Sequence, residues 1–155
     1  MKYETTFLIK ARPNDVFMAI HEYKLKRTPN EFFSWLFMGT LVKMDFRVLT
    51  RHPLGMGAIY DWKFKVLGIP FLAFQEKVVE WVEGRTVAYR AIAGWDMFFR
   101  VDVEPEEDST RVRETINFST GSAFFDQLLR PFIEWGLHEV GRVLVARGLD
   151  EVNQR

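Results

Sequence analysis

The sequence contains no cysteine among its 155 residues. This absence excludes disulfides, thiol catalysis and thiolate metal ligands, and it is compatible with a reducing compartment. Basic and acidic residues balance at 21 each, so no net field favours nucleic acid or an anionic membrane. No apolar run approaches the roughly 20 residues of a membrane-spanning helix, and the polar start, residues 1–6, is typical of a strand and not of a secretion signal. We expect a soluble, cytoplasmic protein without nucleic-acid binding or stable membrane insertion.

Sequence patterns for metal and phosphate sites are also missing. The three histidines are His21, His52 and His138. Neither His21-Glu22 nor His138-Glu139 is followed by the second histidine of a His-Glu-x-x-His motif. There is no glycine-rich phosphate loop. The sequence therefore predicts neither a bound metal ion nor a cofactor.

Aromatic residues, by contrast, are abundant. Phenylalanine alone contributes 15 residues, and aromatics make up 15% of the chain. Large rings bury much apolar surface each, and their number here exceeds what a small core needs. This excess indicates a roomy apolar interior.

Hydrophobic periodicity divides the chain into a strand, two helices, six strands and a final helix. The first strand covers residues 3–10, and a helix opens at 11–15 with proline early and an acid in its first turn. A capping-box pattern at 28–31 begins a second helix over 30–38. Period-two alternation then predicts the remaining strands, at 42–48, 58–66, 71–82, 85–93, 97–104 and 110–119. Short connections between successive strands require an antiparallel meander in one domain, residues 1–155.

The final helix, residues 122–152, is the longest periodic segment and would span roughly 45 Å. Ser122 is its predicted N-cap. One broad apolar face contains Phe125, Leu128, Leu129, Phe132, Ile133, Gly136, Val140, Val143 and Leu144. The opposite side contains Gln127, Arg130, Glu134, His138 and Arg142. A face this wide predicts packing along the sheet.

Several sequence segments together resemble one known superfamily. They are Ala11-Arg12-Pro13-Asn14-Asp15-Val16-Phe17, Gly55-Met56-Gly57, Val78-Val79-Glu80-Trp81 and Ser109-Thr110-Arg111-Val112, together with the terminal helix. The pattern is similar to the START/polyketide-cyclase superfamily, also called SRPBCC or birch-pollen-allergen-like. The resemblance implies an α+β helix-grip fold, in which a curved seven-stranded antiparallel sheet wraps around a long C-terminal helix and two short helices separate strands 1 and 2. It also implies an apolar cavity that binds a lipid, sterol, polyketide or aromatic compound.

The predicted ligand contacts are mainly rings on the sheet, joined by one ring of the second helix and by large and small residues of the final helix. Rings on the sheet that face small residues on the helix leave a tapering space. The predicted contacts are Trp35, Phe46, Tyr60, Trp62, Phe64, Phe74, Tyr89, Phe99, Phe118, Phe132, Gly136 and Val140. The alternative is that these rings simply fill the core, as most buried aromatics do.

Glutamates are the candidates for chemistry. Strand parity places Glu114 inward with Val112 and Ile116, where desolvation would raise its pKa and suit an acid or base. Pairing with an arginine, a position at the rim or a bulge are the alternatives. Glu139 lies within the apolar arc of the final helix, where it could meet Glu114 or an arginine in the cavity. Glu76 is a third candidate if its strand keeps Phe74 and Val78 inward.

The second helix, residues 30–38, carries more apolar surface than one packing face needs. A lid, a homodimer contact, a membrane-touching element and plain burial are all compatible with it. Three functions stay open at this point: binding of a hydrophobic small molecule, a cyclase-like or dehydratase-like enzyme using Glu114 or Glu139, and a protein-interaction module.

Overall fold

A computed structural model describes residues 1–26 and 42–127, together with positions 130, 134 and 145. These residues form a seven-stranded antiparallel sheet with the order β1-β7-β6-β5-β4-β3-β2. The strands and the helix that follows β1 have these bounds: β1 Lys2–Ile9, α1 Pro13–Lys26, β2 Val42–Val48, β3 Ile59–Val66, β4 Ile69–Val82, β5 Thr86–Ala93, β6 Asp96–Glu106 and β7 Ser109–Ser119. The predicted meander is confirmed, and β1 completes the sheet beside β7.

The β3–β4 hairpin begins β4 two residues earlier than the sequence predicted. Leu67 and Gly68 connect the strands with φ values of 51° and 82°, as a two-residue type I′ turn requires. The prediction kept Ile69 and Pro70 in the turn, whereas the turn uses a left-handed leucine, which is uncommon. Pro70 pairs with Lys65 on β3, whereas β4 pairs with β5 only from Gln75 onward. Proline is tolerated here because the strand is unpaired on its other side.

Helix α1 begins where the sequence predicted. Pro13 is its first residue and Asp15 lies in its first turn, where the Arg12 Nε donates a hydrogen bond to Asp15 Oδ2 over 2.7 Å. Val16, Phe17 and Ile20 of α1 belong to the buried core of the sheet. We call the sheet face that receives them the inner face.

A second helical segment begins at Ala123 and covers residues 123–127. The Asp126 amide donates to the Ser122 carbonyl over 2.9 Å, which confirms Ser122 as the residue that precedes the first turn. Asp126 is buried and accepts hydrogen bonds from the Thr120 amide (2.6 Å) and hydroxyl (2.7 Å). These bonds lower the pKa of Asp126 and fix the junction between sheet and helix.

The predicted apolar face of the final helix is wrong at Phe125. Its side chain is 54% exposed, and it contacts Phe124, which is also exposed. Val145 is instead fully buried in the core. At about 100° per residue, positions 125 and 145 are about 200° apart on a straight helix, so one straight face cannot bury both. Arg130 and Glu134 are exposed, as predicted, and form an ion pair over 3.1 Å.

Some predicted features lie outside the described residues. They are the helix at 30–38 with its alternative roles, the greater part of the long final helix, and the candidate residues Trp35, Phe132, Gly136, Glu139 and Val140. Phe64 is described by its backbone, which pairs with Met44 and Leu72.

Candidate ligand-binding face

One part of the inner face is sealed. Its residues come from the middle strands of the sheet and have at most a few per cent exposure: Ala58, Val78, Val87, Val101, Val103 and Val112. Val16 and Phe17 from α1 and Val145 pack into the same cluster. This part of the molecule is an ordinary close-packed core, which leaves no role for a ligand.

The adjoining part of the inner face is only partly covered. Its side chains are half-buried although they point the same way as the sealed ones: Phe46, Trp62, Phe74, Ala91, Met97, Phe99 and Ile116. The strand register makes them neighbours, since Trp62 pairs with Phe46 and Phe74 and Phe99 pairs with Ile116. We call these seven residues the open patch. Apolar side chains gathered on one inward surface and left partly uncovered are typical of a ligand site.

Aromatic rings connect the open patch to the sealed core. Phe46 lies 4.5 Å from Trp62 between ring centroids, and Trp62 lies 6.1 Å from Phe74. Tyr60 follows at 5.6 Å from Phe46, and Tyr89 at 6.2 Å from Tyr60. The Phe99 ring stacks on Tyr89 at 5.9 Å. These separations are those of favourable aromatic pairs, so the rings form a continuous wall from β2 to β6.

Two buried tyrosines in this wall use their hydroxyl groups within the protein. Tyr60 donates a hydrogen bond to the Pro53 carbonyl over 2.6 Å, and the Tyr89 hydroxyl lies 3.0 Å from His21 Nδ1. Burial, followed by the nearby Glu76 carboxylate, raises the pKa of Tyr60 to about 12. Burial raises the pKa of Tyr89 well above its usual range. Both phenols therefore stay neutral, and neither serves as a base near neutral pH.

Glu76 of β4 is buried on the inner face beside the open patch. Trp62 Nε1 donates a hydrogen bond to Glu76 Oε1 over 2.9 Å. The two residues lie diagonally across the strand pair, because Tyr60 is the direct partner of Glu76. The conditional prediction that Glu76 faces inward is therefore confirmed.

Glu114 of β7 is also buried, at 5% exposure. Its register partners are Thr5 on β1 and Val101 on β6, so the inward position predicted from strand parity is confirmed. Its Oε2 atom has no hydrogen-bond partner among the described residues. Burial raises the pKa of Glu114 to about 8. At neutral pH this side chain is mainly a neutral carboxylic acid.

The structure places the described candidates on one surface. Phe46, Trp62, Phe74 and Phe99 belong to the open patch. Tyr60, Tyr89 and Phe118 are buried beside it, and the Phe118 ring lies 5.2 Å from Trp95. The role of all these residues as ligand contacts remains a prediction.

His21 is an interior residue whose placement the sequence pattern did not predict. It is buried, and its ring centroid lies 4.6 Å from Phe17 and 4.9 Å from Trp81. The available signal was its spacing, since His21 follows Phe17 by four residues and therefore shares its helix face. Among the described residues, no group of acidic or histidine side chains is arranged to hold a metal ion.

Comparison with known proteins decides the family. A family model described as polyketide cyclase/dehydrase and lipid transport matches residues 1–154. The chain belongs to this family. Within the described part of this family member, no helix is long and apolar enough to cross a membrane. No curated protein sequence matches the chain.

Solved structures agree with the family at the level of the fold. Ara h 8.0201 superposes with a TM-score of 0.68 at 12% identity, covering 97% of this chain and 98% of its own. Norcoclaurine synthase from Thalictrum flavum gives a TM-score of 0.66 at 16% identity, with 99% and 96% covered. Protein TTHA0849 from Thermus thermophilus gives 0.61 at 18% identity, with 97% and 95% covered. The superpositions establish a shared fold for this member of the polyketide cyclase/dehydrase and lipid transport family. Identities this low leave its ligand open.

Proposed function

We propose that the protein binds a hydrophobic small molecule on the open patch, between the sheet and the C-terminal helix. The observation that carries this proposal is the contrast within the inner face. The sealed part is close-packed against α1 and Val145, whereas the adjacent aromatic part is only half-buried. The exposed surface of these half-buried rings is apolar, and a hydrophobic ligand that covered it would gain van der Waals contacts and remove the surface from water.

The C-terminal helix is proposed as the opposite wall of the site. Its buried Val145 supports this placement, as does the effect of Arg130 and Glu134 on Tyr3. Burial is the main cause of the raised pKa of Tyr3, while the Arg130 charge lowers it and the Glu134 charge raises it. Because Coulomb interactions weaken with distance, these charges support a helix that runs close to Tyr3, an inward residue of β1.

Filling the open patch tests the proposal. Ala91 is half-buried in the patch, whereas the next residue, Ile92, is exposed on the other face of the same strand. We expect Ala91→Trp to weaken binding of the uncharged dye Nile red at least about tenfold, since tryptophan occupies the ligand's space. Ile92→Trp is the matched control and should bind like the wild type. Equal affinity of both variants, each shown by circular dichroism to be folded, would overturn the proposal.

A second candidate function is acid–base catalysis on an enolisable substrate by Glu114. The observation that favours it is a buried carboxyl with a pKa of about 8, because a general acid or base works best with a pKa near the operating pH. Norcoclaurine synthase carries the name of an enzyme on the same fold. Catalysis predicts that the protein accelerates exchange of the α-hydrogens of 2-acetylnaphthalene in deuterated water and that Glu114→Gln abolishes this exchange while leaving binding intact. Exchange at the same rate in the wild type and in Glu114→Gln would eliminate the catalytic role of Glu114.

A further inference from the structure

Glu114 has a distinctive position among the inward residues of its part of the sheet. The inward side chains of β1, β6 and β7 include Tyr3, Thr5, Phe7, Ile9, Met97, Phe99, Val101, Val103, Thr110, Val112, Glu114, Ile116 and Phe118. Glu114 is the only carboxyl in this set. Its neighbours along and across the strands differ in exposure: Val101 and Val112 are sealed, whereas Ile116 and Thr5 are half-buried. The carboxyl therefore lies at the border between the core and the open patch.

A buried polar group normally has a hydrogen-bond partner. Glu114 is buried, and its Oε2 atom finds none among the described residues. Neither register partner supplies an ionic group, because these partners are Thr5 and Val101. A ligand in the adjoining open patch is placed to supply the missing partner.

We propose that Glu114 donates a hydrogen bond to a carbonyl oxygen of the bound molecule, so that the site selects neutral carbonyl compounds over hydrocarbons and over carboxylates. This inference rests on the proposed binding function and names the chemical class that the site reads. Glu114 is thus a specificity-determining residue, whether or not a reaction follows.

The protonation state of Glu114 supports a donor role. Desolvation is the cause of its raised pKa, which is about 8, so the acid keeps its proton at neutral pH. The other titratable groups on the described inner face are Tyr3, Tyr60, Glu76 and Tyr89, with His21 added by α1. The segment after β7 adds the buried Asp126 and the exposed pair Arg130 and Glu134, whose charges act on Tyr3. A neutral acceptor leaves the acid protonated, whereas an ammonium ligand would favour its ionised form.

Charge on the described inner face also disfavours anions. The basic residues of the strands lie at outward positions: Lys63 and Lys65 alternate with the inward rings of β3, and Arg111 and Arg113 alternate with Val112 and Glu114 on β7. A carboxylate ligand would therefore meet no lysine or arginine from the described strands and would be desolvated without compensation. A ketone avoids this cost.

Three naphthalene probes of nearly equal size test the proposal by titration calorimetry. They are 2-acetylnaphthalene, 2-ethylnaphthalene and 2-naphthoate. At pH 6.5 we expect the ketone to bind about tenfold more tightly than the hydrocarbon, a ratio that corresponds to one buried hydrogen bond. The carboxylate should bind more weakly than either. Above pH 8 the affinity for the ketone should fall by about tenfold in all, to that of the hydrocarbon, as Glu114 loses its proton, while the affinity for the hydrocarbon should stay unchanged.

Variants at position 114 separate the effect of the hydrogen-bond donor from the effect of side-chain volume. Glu114→Gln keeps an N–H donor, so it should retain the preference for the ketone while losing the fall above pH 8. Glu114→Leu removes the donor and should bind ketone and hydrocarbon equally. Glu104→Gln makes the same substitution at an exposed position of the neighbouring strand, and it should behave as the wild type.

The outcomes distinguish this inference from the binding function on which it depends. Equal wild-type affinity for ketone and hydrocarbon at every pH would overturn the donor role of Glu114 and leave the binding function standing. The donor role is also overturned if 1-(2-naphthyl)ethylamine binds more tightly than the ketone and gains affinity as the pH rises, because that is the signature of an ion pair. Failure of all probes and of Nile red to bind would overturn the binding function itself.

Discussion

Trp62 of the open patch and the buried Glu76 beside it share one hydrogen bond of 2.9 Å between the indole Nε1 and the carboxyl Oε1. The indole is half-buried, whereas the carboxyl is buried. The bond runs diagonally from β3 to β4. Because it satisfies a polar atom on each residue, it holds the Trp62 ring at the edge of the proposed ligand site.

Breaking this bond should destabilise the protein in a way that a double-mutant cycle isolates. Trp62→Phe retains a ring against Phe46 and Phe74, and Glu76→Met retains approximate volume. We expect a coupling energy of about 1–3 kcal/mol between the two substitutions. Each single variant breaks the hydrogen bond and leaves the polar atom of the other residue without it. Urea unfolding of the four proteins measures this coupling. Strictly additive effects would show that the bond contributes nothing to stability.

The contact between Tyr89 and His21 should contribute more to the stability of the protein than the contact between Tyr3 and Met1 on the same face. Tyr89→Phe removes a buried hydroxyl that lies 3.0 Å from His21 Nδ1, and we expect a loss of about 1–2 kcal/mol in unfolding free energy. Tyr3→Phe is the matched control, because the Tyr3 hydroxyl donates to the Met1 sulfur, a weak acceptor. Thermal and urea unfolding measure both. A larger loss in Tyr3→Phe than in Tyr89→Phe would contradict this ranking.

Gly94 permits a close approach that no other residue type can make. Its φ is +91°, and an added Cβ would lie 2.6 Å from the Ala73 carbonyl oxygen and 2.9 Å from Phe74 Cβ. At Gly68, φ is +82° and nothing lies within 4 Å of an added Cβ, so Gly68→Ala introduces only backbone strain of about 1–2 kcal/mol. Gly94→Ala should therefore lower the unfolding free energy by at least about 2 kcal/mol more than Gly68→Ala does. Urea unfolding compares the two. Because the new Cβ displaces Phe74, Gly94→Ala should also weaken Nile red binding, whereas Gly68→Ala should not. Equal stability losses in the two variants would show that local movement relieves the contact at Gly94.

Local patterns predicted most of the sheet because side-chain alternation is a property of neighbouring residues. The alternation of β7 placed Glu114 inward, where the structure has it. The inward position of Glu76 stayed conditional in the sequence for a physical reason: the β4–β5 register shifts between Gln75 and Glu76 and again between Val78 and Glu80. A bulge depends on both strands, so one strand's sequence does not reveal it.

Other features depended on tertiary partners that periodicity does not contain. His21 has the spacing of a core residue on α1, but only the structure brings it to Tyr89, 68 positions away. Phe125 has the spacing of the apolar helix face, yet it lies in the first turn and is mostly exposed. A helical projection assumes a partner along the whole helix, and that assumption fails at its start.

Glu114 should make the stability of the protein depend on pH between its unfolded and folded pKa values. The ordinary pKa of 4.5 rises to about 8 on folding, so between these values the folded protein holds a proton that the unfolded chain has released. The contribution of Glu114 to stability is therefore greatest below about pH 4.5. It falls as the pH rises from about 4.5 to about 8 and is constant above that range.

Glu114→Gln should remove this slope. At about 1.4 kcal/mol per pKa unit, the full shift corresponds to a loss of roughly 3–5 kcal/mol in unfolding free energy between pH 4.5 and 8 in the wild type. The variant cannot ionise at this position, so its unfolding free energy should change less over the same range and exceed that of the wild type at pH 9. Urea unfolding at half-unit pH steps measures both curves, with Glu104→Gln as an exposed control. Parallel curves for wild type and Glu114→Gln would show that the carboxyl ionises in the folded protein as readily as in water.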